Sequence, residues 1–266
     1  MTDAGPSMPT KKVCQKLDIV FAVDDSGSME AEQEAMGTSI FPAFARRLLA
    51  ELPMLKDFRV GVLDACPAPL ANFHTRGEGG MCQFESGAVW MDSRSTKLVD
   101  EFACVGDIDS TDTNCPSTDA NEQPISTIAT ALEPTWHGPG KPNAGFLRDD
   151  AILVAVAIMD EDEQPMPQRS AREVYDRLLA VKGGDANRVV LLSIGGPGPY
   201  TCYGPYGTAT NAVKLREITS LFAAHGRGVF WNICAGSFEE GLGKALATIK
   251  TACMDFCTGV GTAGCD

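Results

Sequence analysis

Short apolar runs alternate with stretches whose apolar positions repeat at helical spacing. The runs at 17 to 23, 58 to 63, 151 to 159, 188 to 194 and 228 to 233 carry little polar interruption, as expected of strands covered on both faces. Between 29 and 52, Met36, Ile40, Phe44, Leu48 and Leu52 recur every four residues and form one apolar stripe. Pro42 lies inside that stripe and predicts a kink or a split, and Pro53 ends it. Further helices are expected at 123 to 132, where Pro124 suits a first turn, and at 168 to 181, 212 to 224 and 238 to 254. Strands alternating with helices predict an α/β fold: a doubly wound, Rossmann-like, mostly parallel sheet with helices on both faces.

The region from 64 to 121 breaks this rhythm. It holds four of the cysteines, many glycines and an acidic stretch, and is expected to be an insertion of the kind that carries specificity. A short edge strand is expected at 88 to 91 and a helix at 95 to 104, with Leu98, Val99 and Phe102 facing inward. Asp107, Asp109, Asp112 and Asn114 lack the central glycine and terminal glutamate of an EF-hand loop, so a solvated loop is favoured over a second ion site. A glycine- and proline-rich loop is expected at 195 to 209.

The chain has 266 residues, 44% hydrophobic, enough for one sizeable core, and its longest apolar run is too short to span a bilayer. A net charge of −13 argues against nucleic acid and anionic lipid as partners and is compatible with divalent cations. The 10 cysteines include no Cys-x-x-Cys pair, and His74, His137 and His225 are scattered, which disfavours zinc-finger and redox motifs. An even number spread through loops favours disulfides and an oxidising compartment: extracellular, periplasmic or at an outer-membrane surface. Sequence proximity suggests Cys66–Cys82 and Cys104–Cys115, although spacing alone leaves connectivity open. Residues 1 to 10 are polar and carry no signal peptide. Cys14 lacks the small-residue context of a lipid-attachment site, and an anchor upstream remains compatible with the chain.

The richest chemistry lies where the first strand ends. After Val23 come Asp24, Asp25, Ser26, Gly27 and Ser28, so that Asp24, Ser26 and Ser28 offer oxygens at alternate positions at the carboxyl end of a buried strand, where open α/β sheets bind ligands. Such hard donors suit Mg²⁺, Ca²⁺ or Mn²⁺. The run at 151 to 159 also ends in an aspartate, Asp160. The bland alternative is that both aspartates cap the turns that follow. Asp-x-Ser-x-Ser after an apolar strand, with a second strand-end aspartate, resembles the metal-ion-dependent adhesion site of von Willebrand factor type A domains. Together with the Asn-Ala-Gly-Phe-Leu-Arg-Asp-Asp segment (143 to 150) and Glu122-Gln123-Pro124, it is similar to exported deltaproteobacterial type A proteins.

The resemblance implies a type A domain over 14 to 257, with a linker at 1 to 13, a tail at 258 to 266 and one short antiparallel edge strand. It implies metal ligands Asp24, Ser26, Ser28 and Asp160. The family's second loop supplies a threonine; here Glu122 occupies the matching place, with Thr118 or Ser117 serving instead if the loop is longer. A Glu122 ligand would add negative charge, hold a cation more tightly and attract an acidic partner less; otherwise Glu122 favours the positive end of its helix. Glu161, Asp162 and Glu163 are expected to extend an exposed acidic rim, with Asp162 a candidate for the ion's surroundings. Arg148 either anchors its loop on an acid or is solvated.

The function expected is an exported, noncatalytic protein-binding module of adhesion type. The alternatives are a Mg²⁺-dependent hydrolase and a cytosolic type A partner of an ATPase. Against catalysis, the chain has no Gly-x-Ser-x-Gly elbow and no Gly-x-x-x-x-Gly-Lys loop. Its first loop only faintly resembles that of haloacid-dehalogenase-type phosphatases, with Ser26 where the general-acid aspartate would stand.

Overall fold

In the computed structural model, residues 14–52, 55–67, 71–108, 122–163, 169–257 and 265 are described. The chain runs β1 (Lys16–Val23), α1 (Glu30–Ala35), α2 (Phe41–Glu51), β2 (Asp57–Leu63), β3 (Arg76–Gly77), β4 (Gly80–Met81), β5 (Met91–Asp92), α3 (Leu98–Gly106), α4 (Pro124–Ala131), α5 (Pro134–His137), β6 (Ile152–Ile158), α6 (Ala171–Ala180), β7 (Val189–Gly195), β8 (Cys202–Tyr203), β9 (Thr208–Ala209), α7 (Val213–Ala223), β10 (Gly228–Asn232) and α8 (Phe238–Phe256). Six strands form one sheet in the order β10-β7-β6-β1-β2-β5, every pair parallel except β2–β5. This is the doubly wound α/β architecture expected from the alternation of apolar runs. The strand order reverses beside β1, so the carboxyl ends of β1 and β6 flank the switch point.

The alternation of side chains along β1 divides the core. Leu17, Ile19, Phe21 and Val23 face a layer built from α2, α3 and α8, while Val20 and Ala22 face α4, α6 and α7. Phe21 packs among Phe41, Phe44 and Phe102, with ring centroids 4.7 to 6.2 Å apart. Asp18 is the exception on β1. It is fully buried at the opposite edge of the sheet, accepting from the Arg148 amide and Nε at 2.8 Å each and facing Lys182 Nζ at 3.3 Å. Arg148 therefore anchors its loop on an acid.

The split expected from Pro42 is present in the stretch from 29 to 52: a 3₁₀ turn (Gly27–Met29), α1, a π-helical stretch (Met36–Ile40) and α2 follow one another. Pro42 cannot donate to a carbonyl one turn back, and the wider π turn absorbs the misfit. There Thr38 and Ser39 hydroxyls donate to the Glu34 and Ala35 carbonyls. Other expectations are corrected. The edge strand is Met91–Asp92 rather than 88 to 91, and the following helix begins at Leu98 rather than 95. The loop at 195 to 209 contains the β8–β9 hairpin.

Disulfides join Cys14–Cys253, Cys82–Cys104, Cys202–Cys234 and Cys257–Cys265, and Cys66 is also disulfide-bonded. The pairings suggested by proximity, Cys66–Cys82 and Cys104–Cys115, are thus wrong. The β3–β4 hairpin turns Cys82 back onto α3, and contact in the fold overrides nearness along the chain. No described helix is long and apolar enough to cross a membrane.

Candidate cation site

The first loop is held by its backbone. The Asp24 amide donates to Ile158 O at 2.9 Å, and Gln33 Nε2 donates to Asp24 O at 2.9 Å. The loop closes when the Ser26 amide donates to Asp24 Oδ1 at 2.9 Å. The Ser26 and Ser28 hydroxyl oxygens lie 2.9 Å apart, and Ser28 is close enough to the Asp160 carboxyl to lower its pKa. Asp160 stands one residue past Met159, whose amide donates to Ile194 O, and its own carbonyl accepts from the Thr210 amide at 2.7 Å. Asp24, Ser26, Ser28 and Asp160 are therefore brought together across the β1–β6 switch point.

Their electrostatics are unfavourable without a cation. Asp24 is fully buried and its carboxyl is pushed up to about 7, chiefly by burial; hydrogen bonds from Ser26 oppose this, while Asp160 and Asp25 add to it. Asp160 is raised by burial, opposed by Ser28, with Glu161 raising it further. Glu122 is pushed up to about 8, first by burial, then by the charge of Asp24, then by its hydrogen bond and repulsion with Glu161. The charge of Asp24 thus reaches Glu122, and Ser117 and Thr118, the other residues considered for the second loop, lie outside the described residues. Asp24 Oδ2 and Asp160 Oδ1 are buried without a hydrogen-bond partner, a costly state for carboxylate oxygens.

These oxygens fit a hard divalent cation. Among the described residues no three His, Cys, Asp or Glu side chains gather into a metal-holding group by themselves, so any ion here draws on the serine hydroxyls as well. A groove of about 710 Å³ opens beside the loop, lined by Asp25, Ser26, Glu30, Glu34, Glu78 and Asp107. Asp25 belongs to a different constellation. Its carboxyl is pushed up to about 6, chiefly by burial and by Asp64, with His74 opposing. His74 Nε2 in turn lies 3.0 Å from Asp64 Oδ2.

The acidic rim is corrected. Glu163 is buried, not exposed: its Oε1 accepts from the Ile125 and Ser126 amides at 2.7 and 3.1 Å, and its Oε2 faces Lys214 Nζ at 2.6 Å. Asp162 Oδ1 accepts from the Lys214 amide at 2.9 Å. Both carboxylates satisfy amides that begin helices, α4 and α7. Sequence reasoning also missed Glu32, which α1 buries. Its signal was present: Met29, Glu32, Gln33 and Met36 share one helical face, and both methionines are core residues.

No protein-family model matches the chain, and no curated protein does. Solved structures give weak similarity. Proximal thread matrix protein 1 from the mussel byssus, in a form described as having a zinc-occupied MIDAS motif, matches at 14% identity and TM-score 0.47, over 92% of this chain and 47% of that one. A second crystal form of the same protein matches at 16% and 0.44, with the same coverage. Manganese-loaded Plasmodium vivax TRAP protein matches at 13% and 0.39, over 91% of this chain and 75% of that one. The chain spans about half the length of the mussel protein chains. At this level of likeness nothing about the site is transferred from them.

Proposed function

We propose that the chain is a type A-like binding module, exported and noncatalytic, in which a divalent cation at the carboxyl edge of the sheet organises the surface that meets a protein partner. The observation that carries this reading is the pair of buried, partnerless oxygens, Asp24 Oδ2 and Asp160 Oδ1, beside the Ser26 and Ser28 hydroxyls. Asp24, Ser26, Ser28 and Asp160 would hold Mg²⁺, Ca²⁺ or Mn²⁺, with Glu122 adding charge through Asp24. The bound ion supplies an electrophilic centre that accepts an oxygen donor from outside. With Glu122 and an acid-lined groove beside it, the surface favours a partner bringing neutral oxygens or positive charge over one bringing a carboxylate.

Export is supported by the disulfides and by the lack of a free cysteine among the described residues. The noncatalytic reading is supported by the sequence, which carries neither a Gly-x-Ser-x-Gly elbow nor a Gly-x-x-x-x-Gly-Lys loop. Calorimetric titration with Mg²⁺, Mn²⁺ and Ca²⁺ tests the site. Binding should be lost together in Asp160→Asn and in Ser26→Ala/Ser28→Ala, and equal binding by wild type and both variants sinks the reading. Turnover of phosphoester or ester substrates that Asp160→Asn abolishes would overturn the noncatalytic part.

A further inference from the structure

Among the described residues, three of the five large apolar side chains that stand exposed fall on one stretch of chain: Tyr200 and Tyr203 in the loop before α7, and Val213, which opens α7. Single exposed apolar residues need no explanation, but a group on one loop does. The loop is unusual in two further ways. It holds three of the four tyrosines of the chain, and no charged residue occurs from 195 to 212 in a sequence that is 21% charged.

The loop is held from below. Cys202–Cys234 staples it to the end of β10, and Tyr206 packs on Phe238 with ring centroids 5.5 Å apart. The Ala212 amide donates to Gly196 O at 3.1 Å, and the Thr210 amide donates to Asp160 O. In the β8–β9 hairpin Cys202 pairs with Ala209 and Tyr203 with Thr208. The first pair faces inward, with Ala209 buried, so the alternation along the strands turns Tyr203 outward. Tyr203 is 78% exposed and Tyr200 83%. Aromatic side chains displayed on a fixed loop lose little conformational freedom when a partner covers them, which is the property of an interface anchor.

The surroundings select the charge of that partner. A Cβ added to Gly207 would stand 3.3 Å from Glu32 Oε1, so the hairpin rests against α1. Glu30 and Glu34 of the same helix line the acid-lined groove, together with Glu78 and Asp107. One short helix thus separates the uncharged, tyrosine-bearing loop from a row of carboxylates. Tyrosine faces attract guanidinium and ammonium groups, arginine above all, because its plane stacks on the ring. The net charge of −13 draws basic segments toward the surface and repels acidic ones.

We propose that Tyr200 and Tyr203 form a docking surface for an arginine-bearing segment of a protein partner, the guanidinium stacking on tyrosine and the α1 carboxylates meeting the basic residues beside it. The inference deepens the binding-module reading given above and rests on it, but it does not require the cation.

The test is titration with synthetic peptides in which glycine alternates with arginine, lysine or glutamate, at low salt and in chelator. The proteins are wild type, Tyr200→Ala/Tyr203→Ala, Tyr200→Phe/Tyr203→Phe and Glu30→Gln/Glu34→Gln. Wild type should bind the arginine peptide most tightly, the lysine peptide less and the glutamate peptide not at all. The alanine pair should weaken the arginine peptide by roughly tenfold or more, and the phenylalanine pair by no more than about threefold, since the ring face is kept. Thermal unfolding of the alanine pair should match wild type because both side chains are exposed; if it does not, Tyr203→Ala alone decides, and wild-type affinity there overturns the proposal. Arginine-peptide affinity unchanged in the alanine pair but lost in Glu30→Gln/Glu34→Gln would reduce the surface to general attraction by acid and overturn the role of the tyrosines. Failure of wild type to bind the arginine peptide, or equal binding of the glutamate peptide, overturns the surface as well. Titration of the same proteins with Mg²⁺ and Ca²⁺ keeps the two readings apart: the alanine pair should bind cations as wild type does, and a wild type that binds neither ion sinks the cation reading whatever the peptides do.

Discussion

The Asp24 amide donates to the Ile158 carbonyl at 2.9 Å, so the last rung of the β1–β6 ladder is also the first bond of the cation loop. The bond fixes the height of Asp24 relative to Asp160, two residues beyond Ile158 on the neighbouring strand. Preorganisation of this kind places carboxylates together before any ion arrives, at a cost to the metal-free fold. Asp24→Asn should therefore do two opposite things. It should abolish measurable Mg²⁺ and Ca²⁺ binding, and it should leave the metal-free chain as stable as wild type or more so, because an amide needs no neutralisation. Thermal unfolding with chelator and with saturating cation checks both: the wild type should be strongly stabilised by the ion and the variant not at all.

The same repulsion gives a pH dependence of definite sign. Asp24 carries a pKa raised to about 7, chiefly by burial, and Glu122 one raised to about 8, by burial and then by the charge of Asp24. A carboxyl whose folded pKa exceeds its unfolded value binds more protons when folded, so its contribution is fully present below the unfolded pKa and is lost as pH rises through the folded one. Chelated protein should lose stability as pH rises from about 4 to about 8, other groups being equal, on the order of a few kcal/mol from Asp24 alone. Excess Ca²⁺ or Mg²⁺ should remove this slope or reverse it. Denaturant midpoints measured across that range, with and without cation, read the effect directly, and a metal-free midpoint that climbs with pH contradicts it.

Much of this was legible in the chain. Runs such as 151 to 159 have one reading once their length excludes a membrane span, and an aspartate at the end of two of them marks the ligand edge of the sheet. Pro42 announced a break in the first helix, though not that a π turn would absorb it. What stayed hidden was set by contacts between distant segments. Two-residue strands such as Thr208–Ala209 have no period to detect, and the Cys82–Cys104 bridge depends on where a hairpin lands. Glu163 looked like part of a solvated acidic run because the amides it caps begin a helix dozens of residues earlier. Glu32 was visible as a misplaced charge on an apolar helical face.

At the opposite edge of the sheet, Asp18 carries two cations at once. Arg148 reaches it at 2.8 Å and the buried Lys182 at 3.3 Å, with Lys182 Nζ also donating to Arg148 O at 2.6 Å. Burial lowers the Lys182 pKa and Asp18 opposes that shift. Asp18→Ala strands a fully buried ammonium and should cost roughly 3–5 kcal/mol, while Lys182→Met leaves Asp18 with Arg148 and should cost clearly less. Cation affinity should not change in either folded variant, since the network lies across the sheet from Asp24. Urea denaturation paired with calorimetry checks the ordering, and equal losses would mean that Arg148 does not hold Asp18 on its own.

Glu163 couples the two loops that flank the proposed cation site. It leaves β6 three residues after Asp160, yet it caps α4, whose N-terminus follows Glu122, and it faces the buried Lys214 at 2.6 Å, which also donates to Ser126 Oγ at 3.0 Å. Glu163→Gln removes the charge that neutralises Lys214, and the amide satisfies at most part of the helix cap. It should destabilise the chain by roughly 2–4 kcal/mol, a fall in melting temperature on the order of 10 °C. Glu163→Gln combined with Lys214→Met should recover part of that loss, since no unpaired ammonium remains. If Glu163 also sets the position of Glu122, the double variant should recover stability without full cation affinity. Affinity that returns completely with stability would confine Glu163 to holding α4 in place.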